Sequence, residues 1–238
     1  MIRKEIAKHL EKSNTGFRLR GHEIKRIETF SDAVFALAVT LLIVSLEAPK
    51  NFQELIMTVR GFYAFGISFL LLMFIWYEQN VFFRRYDLDD AWIVSLNCIL
   101  IFVVLFYVYP LKFLFTFLLN SQINGKADAV SMTGEQWREL MVIYSVGYIA
   151  IYLIFFFMYA HAYRKGKQLE LTPIEKFDTK TRMYASTLMI AIGVLSITSA
   201  VFLPLSQISI SGIIYSVIGP ALTFFHVLRG RRRKSIHS

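Results

Sequence analysis

Residues 91–110 read AWIVSLNCILIFVVLFYVYP and contain no charged side chain. As a helix, a run of about 20 residues crosses the roughly 30 Å of hydrocarbon in a bilayer. An open strand would leave backbone groups unpaired in lipid, so a helix is the expected conformation. The run also lacks the apolar–polar alternation of a membrane barrel strand. It therefore predicts a transmembrane α-helix.

Five further runs have the same apolar character. They lie at 30–46, 61–77, 140–163, 183–205 and 208–228. The first two are short for a span, so we expect a turn of helix outside the lipid to extend them.

Proline and glycine residues predict kinks or bends in two of the six runs. The run at 91–110 is expected to continue past Pro110 as an extended or kinked helix that ends near Asn120, before a turn at Asn124-Gly125. The last two runs are separated by little more than residues 204–209, which predicts a helical hairpin. Three residues of the last run favour a bend or close packing there: Gly212, Gly219 and Pro220.

The composition agrees with a membrane protein. Of the 238 residues, 55% are hydrophobic and 18% are charged, and the mean hydropathy is +0.50. A soluble domain has roughly 25% charged residues, so an ordinary soluble enzyme is disfavoured. We predict an all-α polytopic membrane protein with six transmembrane helices in a single domain. Its parts are an N-terminal segment at 1–29, a membrane domain at 30–228 and a basic tail at 229–238.

Lysine and arginine residues set the expected orientation. Eight lie in 1–29, two in 78–90, six in 164–182 and five in 229–238, all on one side if there are six spans. The other side has five: Lys50, Arg60, Lys112, Lys126 and Arg138. The positive-inside rule then places both termini in the cytoplasm.

The two ends of the chain are expected to meet the membrane surface. No apolar run precedes residue 30, so residues 1–29 do not resemble a signal peptide. Ile2, Ile6 and Leu10 share one helical face, which predicts a solvated or interfacial amphipathic helix. Beside a span, the basic tail favours anionic lipid headgroups over nucleic acid as its partner.

The predicted spans offer little catalytic chemistry. Their ionisable residues are Asp32, His161 and His226, each near the end of a run. No chain of carboxylates suggests a proton relay, and no arginine repeat suggests a voltage sensor. The sequence has no nucleotide-binding loop, no HExxH motif and no Cys/His cluster with metal spacing. The lone Cys98 cannot form an intrachain disulfide. An enzyme is therefore not predicted, and no cofactor is implied.

The most informative stretch is Arg26–Leu46, which reads RIETFSDAVFALAVTLLIVSL. A local explanation exists, in which Thr29 caps a helix and Asp32 three residues later completes a variant capping box. It does not explain why arginine, phenylalanine, serine and aspartate lie together at the mouth of a span. Asp32 at membrane depth needs hydrogen-bond donors, and Arg26 lies too far around the helix to pair with it directly. We expect Arg26 to bridge to another helix.

This stretch resembles the first span of bacterial potassium channels of the transmembrane protein 175 family, whose signature is R-x-x-x-F-S-D. The residues that match are Arg26, Phe30, Ser31 and Asp32. The motif occurs once, as in the single-repeat bacterial members, and the resemblance covers about residues 20–230. It implies a homotetramer in the cell membrane that conducts K+ passively through a central pore lined by the first helix.

The resemblance also implies the pore residues. Leu37 would form the narrowest ring, a hydrophobic constriction that closes by dewetting. Thr40, Leu41 and Val44 would form the next turns, with Thr40 hydroxyls replacing part of the hydration shell of a passing K+. The steps of three, four and seven residues from Leu37 independently place all four side chains on one helical stripe.

One departure from the family pattern concerns the second span. Many bacterial relatives have a histidine soon after the tryptophan that ends this span. Here Trp76 is present, but the following residues are Tyr77, Glu78, Gln79 and Asn80. Gln79 or Asn80 would have to supply the hydrogen bonds around the motif.

Two alternatives to a channel remain open. A secondary transporter would need a midplane substrate site, broken helices and internal repeats, of which only the weak kinks at Pro204 and Pro220 are visible. A non-conducting membrane scaffold would show no current and no axial hole.

Overall fold

The computed structural model describes residues 16–21, 23–44, 51–123 and 133–234. The amphipathic pattern at residues 1–15 and the turn at Asn124-Gly125 lie outside these ranges. The α-helices are α1 (Arg26–Val44), α2 (Phe52–Tyr86), α3 (Ala91–Ile123), α4 (Gly134–Arg164), α5 (Pro173–Phe202), α6 (Ser209–Ile213) and α7 (Ile218–Lys234).

The helices confirm the predicted all-α membrane fold. By length and apolar composition, five segments of the described residues qualify as membrane spans: Phe65–Tyr86, Ala91–Leu114, Gly134–Arg164, Pro173–Phe202 and Ser209–Arg233. Helix α1 is not among them. It has 19 residues, and its first two turns carry Arg26, Glu28 and Asp32.

Two predicted irregularities have clear outcomes. Helix α3 continues through Pro110 to Ile123, so the extended third helix is confirmed. The last apolar run is divided, with a 3-10 turn at Ile214–Val217 between α6 and α7. Gly212 lies in α6, and Pro220 lies in the first turn of α7, where proline is tolerated.

Helices α4 and α5 form the most extensive helix pair, and each begins with a capping box. Thr133 and Gln136 exchange side-chain-to-backbone hydrogen bonds at the start of α4, and Thr172 and Glu175 do so at the start of α5. The two helices approach closely where Gly193 has no side chain. A Cβ at this position would lie only 2.6 Å from Cγ1 of Ile149.

The basic segments that are predicted to share one side of the membrane lie at the same end of the bundle. Ion pairs join each segment to another: Lys25 to Asp87 at 2.9 Å, Arg18 to Glu175 at 3.1 Å, Lys165 to Asp90 at 2.8 Å and Arg233 to Asp178 at 2.8 Å. The described residues before α1, the α2–α3 and α4–α5 connections and the end of α7 therefore share one end.

Two of the five basic residues expected at the opposite end form hydrogen bonds there. Arg138 Nε donates to the Ala200 carbonyl at the end of α5 at 3.0 Å. Lys112 Nζ donates to the Leu42 carbonyl near the end of α1 at 3.2 Å. The predicted separation of the two groups of charges thus agrees with the fold.

His161 belongs to the basic end. Its Nε2 lies 2.9 Å from Oδ2 of Asp90, the same oxygen that Lys165 contacts. Partial burial acts to raise the pKa of Asp90, but hydrogen bonds from Lys165 and His161 outweigh it and hold that pKa well below its usual range. Asp90 therefore remains a carboxylate that ties the start of α3 to the end of α4.

Candidate functional site

Helix α1 presents two different faces. Its buried face consists of Ser31, Phe35, Ala38 and Leu42, which pack into the protomer. The opposite stripe consists of Arg26, Phe30, Ala33, Leu37 and Thr40, all exposed on the protomer. Each stripe follows the spacing of three and four residues that keeps side chains on one side of a helix. Helix α1 thus leaves the stripe from Arg26 to Thr40 without a partner among the described residues.

Leu37 and Thr40 lie within this exposed stripe, as the sequence predicts. The side chain of Leu37 is 51% exposed. Leu41 lies at the edge of the stripe and is half-buried. Val44 ends α1, and its side chain lies outside the part of the chain that the structure describes.

The hydroxyl of Thr40 has a defined orientation. It donates to the carbonyl of Ala36, one turn earlier in α1, with an Oγ1 to O distance of 2.8 Å. A hydroxyl has one donor and two acceptor lone pairs. Because the donor is used within the helix, the oxygen of Thr40 keeps its lone pairs for a ligand outside it. Such an oxygen suits a cation and not an anion.

A buried polar chain holds the other face of α1. Ser31 Oγ donates to the Ile27 carbonyl at 2.7 Å, and Asn97 Nδ2 of α3 donates to Ser31 Oγ at 2.7 Å. Gln79 Nε2 of α2 in turn donates to Asn97 Oδ1 at 2.5 Å. Ser31, Gln79 and Asn97 are all buried. Since an unpaired buried polar group costs about 1–3 kcal/mol, this chain favours one rotation of α1 against α2 and α3.

Asp32 and Trp76 form a second link between α1 and α2. The indole Nε1 of Trp76 donates to Oδ1 of Asp32 at 2.7 Å. The capping explanation of the motif is wrong, because α1 already begins at Arg26 and the Thr29 hydroxyl lies 3.3 Å from the carbonyl of Lys25. The donor that Asp32 needs comes from α2 and not from its own helix.

Among the described residues, Arg26 has no ion pair or side-chain hydrogen bond to another helix, so the expected bridge is not seen there. It is exposed on the protomer. It occupies the first position of the exposed stripe, one turn before Phe30, whose side chain is 55% exposed. Both residues therefore face whatever covers that stripe.

Gln79 and Asn80, the two residues that could replace the histidine found in many relatives, differ in their contacts. Gln79 joins the buried polar chain, whereas the half-buried Asn80 makes no side-chain hydrogen bond within the described residues. Asn97, the central member of the buried polar chain, was not predicted from the sequence. Its signal was present, because it is a lone amide within the uncharged run at 91–110 and a polar group at membrane depth needs partners.

Within the described residues, no cluster of three or more histidine, cysteine, aspartate or glutamate side chains could hold a metal ion. The exposed side of α1 carries the guanidinium of Arg26 and the carboxylate of Asp32 in its first two turns, and Leu37 with the hydroxyl of Thr40 further along.

Comparison with known proteins identifies the family. The family described as "Endosomal/lysosomal potassium channel TMEM175" matches residues 26–107, which contain the motif and the whole polar chain. A potassium channel from Marivirga tractuosa is 38% identical over 235 residues, 94% of this chain and 94% of that relative. The chain belongs to the TMEM175 family. A more distant relative of this TMEM175 member is a potassium channel from Streptomyces collinus, 28% identical over 61% of this chain and 67% of its own length.

Solved structures agree with this assignment. A variant of the potassium channel MtTMEM175, in complex with a nanobody–MBP fusion protein, superimposes with a TM-score of 0.80. It is 36% identical, and the match covers 94% of this chain and 100% of that one. A lysosomal potassium-selective channel TMEM175 homologue from Chamaesiphon minutus shares the fold, with a TM-score of 0.53 at 18% identity over 86% of this chain and 96% of that one. As a member of a potassium channel family, the protein is not an enzyme.

Proposed function

We propose that this TMEM175 member is a potassium channel in which four copies surround a central pore lined by α1. The observation that carries the proposal is the exposed stripe of α1, which no part of the described chain covers. Relatives named potassium channels at 38% and 28% identity support K+ as the permeant ion. Ions would move down their electrochemical gradient without a cofactor.

Leu37 and Thr40 have different roles in the proposed pore. Four Leu37 side chains form the narrowest ring, where water is excluded and an ion must shed part of its hydration shell. Thr40 lies one turn further along α1, and its outward lone pairs replace some of the lost water oxygens. Leu41 and Val44 continue the apolar lining.

The motif residues fix the geometry of this pore. Because Ser31 and Asp32 bind α2 and α3, the rotation of α1 is set within each protomer before four copies assemble. Arg26 and Phe30 then contact the neighbouring subunit. The second carboxylate oxygen of Asp32 is an acceptor for that contact.

The protein lies in the cell membrane with the basic end of the bundle at the cytoplasmic face. Both termini are therefore cytoplasmic. The positive-inside rule supports this orientation, because the basic segments gather at that end. Anionic lipid headgroups are the expected partners of the tail at 229–238, and no nucleic acid is involved.

Reconstitution into planar bilayers tests the function. A channel gives unitary K+ currents that follow the electrochemical gradient, with a reversal potential shifted towards that of K+ when Na+ replaces K+ on one side. Slow, saturable flux without unitary currents would instead indicate a secondary transporter. No flux from a correctly assembled oligomer would indicate a scaffold. Either result would overturn the proposal.

A further inference from the structure

A cavity separate from α1 lies between α2, α4, α5 and α7. Its volume is about 650 Å³, within the range of roughly 300–1,000 Å³ that is usual for ligand sites. Its walls are mainly apolar and include Phe74, Phe155, Met189, Leu222 and Val227. Helix α7 closes it loosely, because none of the described side chains of α7 is fully buried in the protomer. The cavity therefore adjoins the lipid-facing side of the bundle.

A smaller basic cleft adjoins this cavity at the end of the bundle that carries the basic segments. It has a volume of about 240 Å³ and shares Arg182 and His226 with the larger cavity. Its charged lining residues are Arg85, Asp178, Arg182, Arg229 and Arg233. With Glu78 of the larger cavity included, four arginines face two carboxylates, so the cleft has an excess of positive charge.

Two ion pairs in the cleft are already complete. Arg182 Nη1 lies 2.7 and 2.8 Å from the two carboxylate oxygens of Glu78. Arg233 contacts both carboxylate oxygens of Asp178, at 2.8 and 2.9 Å. The excess charge therefore belongs to the remaining arginines.

Arg229 has no carboxylate partner among the described residues. Its guanidinium instead lies over the rings of Tyr184, Phe177 and Phe225, at 4.6, 4.9 and 5.8 Å from their centres. Stacking holds the plane of a guanidinium but leaves its N–H edge free to donate, and that edge matches the oxygens of a phosphate. Arg229 is thus positioned to bind an anion at the mouth of an apolar cavity.

Tyr159 contributes an aromatic ring to the wall of the larger cavity. Its side chain is 2% exposed and lines the larger cavity on the helix facing Arg182. Its hydroxyl makes no hydrogen bond within the described part of the chain. The hydroxyl itself is enclosed by protein, so the ring and not the hydroxyl forms this part of the cavity wall.

We propose that this cavity and cleft together bind one anionic phospholipid. An acyl chain fills the apolar cavity, and the phosphate binds Arg229. A soluble anion would satisfy the arginine but leave the apolar cavity empty, and a neutral lipid would leave the charge unused. Basic pockets between spans at the cytoplasmic surface are a known way of binding anionic headgroups.

Native mass spectrometry of the full-length protein in a non-ionic detergent tests the proposal. The probes are phosphatidylglycerol, phosphatidylcholine with the same acyl chains, deacylated glycerophosphoglycerol and inorganic phosphate. We expect phosphatidylglycerol to bind at least about tenfold more tightly than each of the other three. Equal affinity for phosphatidylcholine would overturn the role of the charge, and equal affinity for the deacylated headgroup would overturn the role of the cavity.

Four variants localise the binding. Arg229→Gln is expected to weaken phosphatidylglycerol binding about tenfold, whereas Arg229→Lys retains the charge and most of the affinity. Leu222→Trp fills the cavity from the loosely packed α7 and weakens binding of both lipids. Arg232→Gln is the matched control, because this exposed arginine lies in the same helix outside the cleft. An equal loss in Arg232→Gln and Arg229→Gln would show diffuse attraction to the basic tail and contradict the site.

Discussion

Leu37 and Leu42 lie five residues apart in α1, and the fold places them in opposite environments. Leu42 is 1% exposed and packs into the protomer, whereas Leu37 is 51% exposed on the stripe with Thr40. Their hydrophobicity is identical, so position on the helix and not residue type separates the buried leucine from the exposed one. The Ser31–Asn97–Gln79 chain fixes that position.

Replacement of Leu37 by alanine tests the constriction. Leu37→Ala removes most of the side chain from the proposed narrowest ring, so the pore widens and ions retain more water. We expect a smaller K+ over Na+ permeability ratio, seen as a shift of the reversal potential in mixed K+/Na+ solutions. Leu195→Ala is the control, since Leu195 is 56% exposed on α5, away from α1. An unchanged reversal potential in Leu37→Ala would contradict the assignment.

Asp32→Asn tests the motif. The substitution keeps one acceptor for Trp76 but removes the charge, and charge-assisted hydrogen bonds are about twice as strong as neutral ones. The carboxylate is also exposed on the protomer, where we place a subunit boundary. We expect a lower tetramer yield in size-exclusion chromatography, with Asp89→Asn as the exposed control. A wild-type elution profile and yield would argue against this role for Asp32.

Residue-scale prediction from the sequence succeeded where the spacing was local. The motif residues Arg26–Asp32 form the first two turns of α1, which begins four residues before the predicted run at 30–46, and the stripe from Leu37 to Thr40 follows from helical periodicity alone. The partners of these residues did not follow from it. Ser31 and Asn97 are 66 residues apart, and hydropathy does not indicate which polar side chains meet.

At the scale of the elements, close approach of α3 and α4 depends on Gly147. A Cβ at this position would lie 2.6 Å from Cε2 of Tyr107, whose hydroxyl donates to the Tyr144 carbonyl at 3.1 Å. The ring is therefore not free to move aside. The missing side chain allows the two helices to pack closely.

Gly147→Ala is consequently expected to destabilise the protein by about 1–3 kcal/mol through overpacking, measured by thermal or denaturant unfolding in detergent. Gly230→Ala is the control, because nothing lies within 4 Å of a Cβ at that helical position. It should be neutral or stabilising by up to about 1 kcal/mol. Equal stability of Gly147→Ala and wild type would show that α3 and α4 adjust freely.

The tie between α3 and α4 at Asp90 predicts a pH dependence. Because the folded protein lowers the pKa of Asp90, the carboxylate contributes stability that is complete above about pH 4 and is lost as the pH falls through the folded pKa. We expect Asp90→Asn to lower Tm at neutral pH and to show a smaller fall of Tm between about pH 5 and pH 2. Asp89→Asn is the control. Parallel Tm profiles for Asp90→Asn and wild type would contradict the prediction.

Hydropathy located the helices better than it located their ends. Helix α2 runs to Tyr86, nine residues beyond the predicted run at 61–77, although that extension is largely polar or charged. Phe82, Phe83 and Tyr86 explain the difference, because all three are buried in the protomer core. Packing rather than transfer into lipid stabilises this part of the helix, and a scan for apolar runs does not detect it.

At the scale of the whole molecule, the segment before α1 joins helices that are distant in sequence. Phe17 is fully buried against Tyr86, with ring centres 5.6 Å apart. Arg18 and Arg20 both contact the carboxylate of Glu175, which is 1% exposed. The two arginine contacts each span more than 150 residues and connect α5 to the segment before α1.

Glu175→Gln tests this connection. The substitution leaves Arg18 and Arg20 without their shared negative partner, so we expect a loss of about 1–3 kcal/mol in stability and faster tryptic cleavage after Arg18 and Arg20. Glu139→Gln makes the same chemical change at an exposed position of α4 and should have little effect. Unchanged cleavage in Glu175→Gln would show that the segment is held by its other contacts, which include Phe17 and the backbone bonds to Arg84, and not by this carboxylate.

This long-range contact was beyond prediction from the sequence. The distribution of basic residues predicts that residues 1–29 and the α4–α5 connection lie on the same side of the membrane. It does not indicate which arginines bind a carboxylate and which are solvated. A buried carboxylate that binds two of them is a product of tertiary packing, and the capping box Thr172–Glu175 is its only local sign.

The central claim, that α1 lines an ion pathway between four copies, is tested most directly by a cryo-electron microscopy map of the full-length protein in lipid nanodiscs. We predict fourfold symmetry, with α1 nearest the axis and the Leu37 side chains at the narrowest point. A map in which another helix surrounds the axis, or in which the Leu37 stripe faces lipid, would contradict the account.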